Sequence, residues 1–457
     1  MKKRGLLSLT LSAVLAASLF TAPAGAAYVT DAAPCRYDNV GSFCNGLAWV
    51  ELGGKYSFIS KLGKEITPLQ YDSVGDFQGD VAWVCKNGKY GLINTSGREI
   101  VPCQYDYPLI FSEGLAPASR GGKCGFIDKR GGEVISLVYD QTGTFTEGLV
   151  PVCETVGGVQ KWGVRNLMGA QIVPCTYDRV YNFTGGLATV CLNGKYGFIN
   201  KSGQLAIPCT YDNAGQGFSS GYAAVCLDGK WNYVDVTGQT LLPAGLYEEA
   251  SEFSGEYAMV KRNGKWGYLN KMGKEFAPCK YDEAHPFVGG FGRVKLNGKW
   301  NYVTATGTEL VPGFYYDEAE DFACGLGRVV QAGRVGYLNK NGKAITPFQY
   351  DLLTNAVKEP EEELILVRRY GKYGFLDASG NEKIPCIYDN AFDFSDGLAA
   401  VSSGGKYGFL DIFGHLVSTM KYDGARPFSE GYAAVCQFSG GSAKWGFVHI
   451  VGYQQKA

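Results

Sequence analysis

A Tyr-Asp pair recurs from one end of this chain to the other and limits what the chain can fold into. It stands at Tyr37-Asp38, Tyr71-Asp72, Tyr105-Asp106, Tyr139-Asp140, Tyr177-Asp178 and Tyr211-Asp212. It continues at Tyr247-Glu248, Tyr281-Asp282, Tyr316-Asp317, Tyr350-Asp351, Tyr388-Asp389 and Tyr422-Asp423. Neighbouring pairs lie 34 to 38 residues apart, most often 34. A fixed period of this size marks a repeat architecture, in which each copy packs on its neighbours. We number the units one to twelve by the pair that opens each.

The stretch from Gly186 to Gly221 shows how one unit is built. Leu187-Ala188-Thr189-Val190-Cys191 is a short β-type run, and Lys195-Tyr196-Gly197-Phe198-Ile199-Asn200 is another. Asn193-Gly194 between them is a strong hairpin signal, because a type I′ turn needs positive φ at both central residues. The same dipeptide stands at Asn87-Gly88, Asn263-Gly264 and Asn297-Gly298, with Asp228-Gly229 as a near equivalent. A turn at Lys201-Ser202-Gly203 leads into a third strand, Gln204 to Pro208, and the proline stops pairing because it has no N–H to donate. The Tyr211 ring is expected to pack and the Asp212 carboxylate to hold a nearby backbone N–H as an Asx turn. A loop with Phe218 returns to Gly221. The unit is three strands, with room for a short fourth, and no helical period occurs anywhere.

Gly264-Lys265-Trp266-Gly267-Tyr268, followed by a Gly-Lys turn, a Pro, Tyr-Asp and a Phe-Ser-Glu-Gly type stretch, resembles the WG (or KWG) β-repeat. Matching segments are Gly88 to Gly91, Gly194 to Gly197, Gln160 to Gly163, Lys372 to Gly374, Gly405 to Gly408 and Lys444 to Gly446. The resemblance covers nearly the whole chain after about the first thirty residues. It implies an all-β repeat scaffold and offers no catalytic residues to carry over. Departures are Cys124 and Val335 at the aromatic position, Asn232 and Asn301 in place of the glycine, and Glu248 in place of the aspartate. Those units are expected to pack less regularly. Units six and eight resemble each other more than their neighbours, which points to growth by copying a two-unit block.

The expected fold is therefore all-β: about twelve tandem repeats of roughly 34 residues, each of three to four short antiparallel strands. They form either propeller-like rings or an open superhelical solenoid. The repeat begins with the last third of a unit at Pro34 to Asp38 and ends in the middle of one at Lys444 to Val448, so the two ends would nearly complete a unit. Propellers carry roughly four to eight blades, so twelve units favour two rings or an open stack over one ring. Three breaks in the period predict surface loops: Glu154 to Gln160, the acidic Lys358 to Glu363, and Gln437 to Ala443.

Lys2-Lys3-Arg4, an apolar Leu6 to Phe20 and the small-x-small Ala24-Gly25-Ala26 predict an export signal at residues 1–26 and a continuous repeat array at 27–457. The apolar stretch is short for a membrane span, no lipid-attachment cysteine follows it, and the C-terminus carries no anchoring motif. The expectation is a protein that is secreted or loosely held at the cell envelope. A net charge of -1 with 19% charged residues argues against a nucleic-acid or anionic-membrane partner.

Cysteine placement follows the repeat. Cys35, Cys103, Cys175, Cys209, Cys279 and Cys386 share a position with Leu69, Val138, Phe348 and Met420, so they read as small buried hydrophobes. Cys85, Cys153, Cys191, Cys226 and Cys436 share one with Glu51, Ser119, Lys261, Lys295, Arg368 and Ser402, so they are expected to be exposed. An exported chain allows disulfides, although equivalent sites in neighbouring repeats read as too far apart for the roughly 7 Å Cα limit.

No catalytic constellation breaks the repeat. His285, His415 and His449 lie in different units without ligand spacing, and no nucleophile-elbow, zinc-protease or phosphate-loop motif occurs. The periodic acids could line a calcium ladder, but calcium takes roughly six to eight oxygen ligands, and single carboxylates favour turn capping. No metal and no cofactor are expected. Trp49 and Trp83 are the candidate ligand-binding residues. They occupy a position where other units carry Thr189, Ala224, Arg293, Arg328 and Ala400, and adjacent units should set both indoles on one face, near each other. They also read as a hydrophobic seal. The sequence thus predicts a secreted, non-enzymatic scaffold that binds a cell-wall or host glycan or a surface protein; the alternative is an envelope spacer without a specific ligand.

Overall fold

The computed structural model of the chain describes residues 28–313, 316–323, 325–353, 364–377 and 379–452. The expected export signal and the acidic insertion at 358–363 lie outside the described residues. Among the described residues all regular elements are strands, arranged as twelve small antiparallel sheets, six of three strands and six of four. In unit five the order is Arg179–Val180, Leu187–Leu192, Lys195–Asn200 and Leu205–Tyr211, each paired with the next. Leu187 to Cys191 is buried on both faces of its strand because a neighbouring sheet lies on each side. The Leu205–Tyr211 strand is an edge, and its exposed Pro208 blunts that edge against foreign pairing.

The motif glycine has a steric cause. A β-carbon on Gly197 would sit 2.5 Å from the Ile207 carbonyl oxygen, where the third strand bulges over the second. Gly91, Gly163, Gly267, Gly374 and Gly446 are overlain in the same way. Units six and eight carry Asn instead, and there the third segment forms no ladder strand. Asn232 replaces the ladder with its amide: Nδ2 donates to Leu242 O at 2.9 Å, and Oδ1 accepts from Leu242 N at 3.2 Å. Asn301 donates likewise to Val311 O and Gly313 O. These units were expected to pack less regularly; a side chain supplies the order that the backbone lacks.

Neighbouring sheets are joined by a repeated aromatic contact. Phe198 of unit five meets Phe218 of unit six edge to face, 5.0 Å between centroids, and Phe58 meets Phe77 in the same geometry. Tyr233 with Phe253, Tyr268 with Phe287 and Phe375 with Phe394 repeat it. Edge-to-face pairs align the positive ring edge with the negative face. Around each contact lies an apolar cluster drawn from two consecutive units, and twelve such clusters join the twelve sheets.

The last cluster joins unit twelve to unit one through Ala434, Phe447, Tyr37, Val40 and Phe43, and Phe43 meets Phe447 edge to face at 4.9 Å. The N-terminal strand Tyr28–Tyr37 is the missing third strand of unit twelve, pairing with Ser442–Val451 from Tyr28 opposite Val451 to Tyr37 opposite Trp445. The first and last described strands share one sheet, so the array closes on itself in a single cycle of twelve. An open stack would leave that sheet incomplete, and two rings would need a junction between non-consecutive units, whereas the twelve clusters each join consecutive ones. The insertions at Glu154–Gln160 and Gln437–Ala443 are lengthened hairpins turning at Gly157-Gly158 and Gly440-Gly441.

Candidate binding surface

The repeated acids stitch units together. Asp72 Oδ1 accepts from Lys55 Nζ at 2.6 Å, and Oδ2 accepts from the Asn87 N–H in the next hairpin turn at 2.6 Å. Asp106, Asp178, Asp212, Asp282 and Asp389 each take a lysine and a turn N–H in the same way. Glu248 spans the turn with two bonds of 3.0 Å, to the N–H groups of Asn263 and Gly264. The capped N–H lies about half a unit downstream, so this is a long-range cap and not the local Asx turn that the sequence suggested. Lys55 first, then the Asn87 N–H, hold Asp72 below the ordinary carboxylate range. Both oxygens of these carboxylates are engaged within the protein.

The cysteines at the strand position are not exposed, contrary to expectation: Cys85, Cys153, Cys191, Cys226 and Cys436 are all buried. Each stands opposite the motif aromatic of its own hairpin, as Cys191 opposite Tyr196 and Cys153 opposite Trp162, and the ring covers a short side chain. Long polar side chains at the same position, such as Lys261 and Lys295, escape past the ring with their ammonium 5.3 and 5.1 Å from Trp266 and Trp300. The other set packs half-buried on the cores, and burial first pushes the Cys35, Cys103 and Cys279 thiols up to about 11. None of the described cysteines is paired in a disulfide.

His285 bonds Glu283, His415 bonds Asp411 and His449 bonds Thr30, each in its own unit. Among the described residues no three His, Cys, Asp or Glu side chains gather as a metal site.

Trp49 and Trp83 are partly exposed, and each covers its own unit. Trp49 lies over Tyr56 at 5.7 Å and Trp83 over Tyr90 at 5.6 Å. The indoles make room for themselves at a glycine: the N–H groups of Gly41 and Gly75 bond the Trp49 and Trp83 carbonyls, and a β-carbon on either glycine would collide with the indole. Among the described rings the two indoles do not touch each other. The same loop-to-strand pair recurs with its sizes exchanged. Phe392 faces Ala400, and Tyr181 faces Thr189. In unit twelve Arg426 lies 4.2 Å over Trp445. One bulky partner covers the motif ring in these units, whichever strand supplies it. This volume exchange spans residues eight apart and left no periodic signal for the sequence to reveal.

Fold and surface together define a closed β-repeat scaffold. The model of the WG containing repeat matches eleven segments, at residues 32–56, 56–90, 90–124, 125–155, 162–196, 196–231, 233–266, 266–300, 336–373, 373–407 and 407–437, and the chain belongs to that family. No curated protein matches the sequence. Similar solved structures include a eukaryotic initiation factor at 12% identity, covering 72% of this chain and 92% of that one with a TM-score of 0.36. Another is PorZ, a bacterial surface component of the type-IX secretion system of Porphyromonas gingivalis, at 8% identity, 92% and 75% coverage and TM-score 0.23. A third is Kluyveromyces lactis Hsv2p, at 10% identity, 51% and 93% coverage and TM-score 0.27. No helix among the described residues is long and apolar enough to cross a membrane.

Proposed function

We propose that this protein is a secreted, non-enzymatic scaffold whose propeller-like ring binds a cell-surface glycan or surface protein. The observation that supports it most directly is the pair of partly exposed indoles, Trp49 and Trp83, repeated in adjacent units on otherwise conventional sheets. Exposed tryptophans offer large rigid contact area at low entropic penalty. A non-enzymatic role is supported by the engagement of the repeated carboxylates with lysine ammonium groups and turn N–H groups of their own array. The basic and apolar start of the sequence supports export.

A glycan array probed with the full chain and with Trp49→Ala and Trp83→Ala tests this reading. Signal that falls in either variant supports glycan binding; no signal, or signal indifferent to both substitutions, counts against it. Conversion of a bound sugar to product would reverse the non-enzymatic assignment. Detection of the chain in culture medium, and not in the cell pellet, tests export.

A further inference from the structure

In unit four both members of the loop-to-strand pair are small. Gly143 faces Pro151, where unit one has Gly41 facing Trp49. The motif indole beneath, Trp162, is only partly buried, and among the described residues no ring or cation is stacked on it. A cavity of about 340 Å³ opens there, within the size range of small-molecule sites, roughly 300–1,000 Å³. Its other walls come from three further units: Asn182 and Thr184, then Gln216, then Glu252.

The walls are set in place by neighbouring backbone. Asn182 Oδ1 lies 3.0 Å from where a β-carbon on Gly143 would stand, so the amide lies down on the glycine. Glu252 Oε1 accepts the Gln216 N–H at 3.1 Å. Thr146 lines the cavity as well, with its hydroxyl oxygen buried away from it. Unit six also pairs two small residues, Gly215 and Ala224, and there Glu252 leans over the glycine, 3.3 Å from its β-carbon position, as Asn182 does over Gly143.

We propose that this cavity binds one uncharged pyranose ring of a glycan, stacked on Trp162 and hydrogen-bonded by Asn182 and Gln216. A pyranose presents a C–H face to an indole and hydroxyls at its rim, each both donor and acceptor, which matches an aromatic floor with amide and hydroxyl walls. An aromatic side chain from a protein partner fits the volume but leaves the two amides unpaired. An acidic sugar would meet the Glu252 carboxylate. The site uses neither Trp49 nor Trp83 and stands apart from them, although it shares the glycan class proposed above.

Calorimetric titration of the full chain with an N-acetylglucosamine trisaccharide, maltotriose and a galacturonic acid trisaccharide tests the proposal. Pro151→Trp recreates the Trp49-over-Gly41 arrangement and fills the cavity, with a thermal melt to confirm folding; Asn182→Ala removes one wall. The expected result is binding of a neutral trisaccharide that weakens at least about tenfold in Pro151→Trp and severalfold in Asn182→Ala, with the acidic trisaccharide inert. Equal affinity in folded Pro151→Trp, no binding of either neutral sugar, preference for the acidic one, or binding of N-acetyltryptophanamide in their place would overturn it. Neutral-sugar binding lost in Trp49→Ala or Trp83→Ala but kept in Pro151→Trp overturns this site and leaves the other reading standing.

Discussion

Lys444 of unit twelve donates its ammonium to Asp38 of unit one, 406 residues earlier in the chain. The contact has the form of Lys55 with Asp72 between units one and two, so the junction of the two chain ends is bonded like an ordinary junction. Asp38 completes the pattern by accepting the Gly53 N–H at 2.7 Å. The array therefore has no free end sheet to protect.

Closure rests on the N-terminal strand more than on that ion pair. Deleting residues 28–37 leaves one edge of the Ser442–Val451 strand unpaired and removes Ala33 and Tyr37 from the junction core. The melting temperature should fall sharply and the chain should self-associate through the opened edge, as read by calorimetry and light scattering. Asp38→Asn, which loses one exposed pair, should barely move it.

The motif glycine should tolerate no side chain. Gly197→Ala is expected to destabilise by about 1–3 kcal/mol, because the third strand must move off the new methyl group. Asn232→Gly should destabilise by a similar amount, about 1–3 kcal/mol, through the buried Leu242 N–H and carbonyl left unpaired. Chemical denaturation measures both.

Size exchange predicts a specific non-additivity. Gly41→Ala alone forces the added methyl group into Trp49, whereas in a Trp49→Ala background the same change meets no indole. The double variant should be more stable than the sum of the single effects predicts, with a coupling of about 0.5–3 kcal/mol in the thermal or denaturant midpoint.

Stability should depend on acid in a defined window. The folded-state pKa values of Asp72, Asp106, Asp140, Asp282 and Asp423 are depressed, chiefly by the paired lysine. A depressed acid contributes stability above its unfolded pKa, about 3.9 for Asp, and loses that contribution as pH falls through the folded value. The melting temperature should hold from neutral pH to about 5 and drop below about 4. A profile level down to about pH 3 would show that the ladder contributes nothing.

The thiols should be slow. With Cys35, Cys103 and Cys279 pushed up to about 11 and the strand-position cysteines buried, a thiol reagent at pH 8 should label these cysteines slowly in the native chain and at once in the denatured one. Rapid native labelling of Cys85 or Cys191 would contradict the burial found for them.

The chain's order determined the repeat, its strands, its hairpin turns and its family, because each depends on residues close in sequence: Asn193-Gly194 sets a turn, and Lys195 to Asn200 sets a strand. The sequence also isolated Trp49 and Trp83 as departures from the period. Tertiary structure alone decided the closure into one ring, the lysine-to-aspartate ladder, the burial of Cys191 beneath Tyr196, and the cavity over Trp162. Those outcomes depend on how neighbouring sheets meet, and a void arises from the joint size of Gly143 in the loop and Pro151 on the strand. Periodicity reports what all units share; a site left by two small residues in one unit becomes visible only when the sheets are stacked.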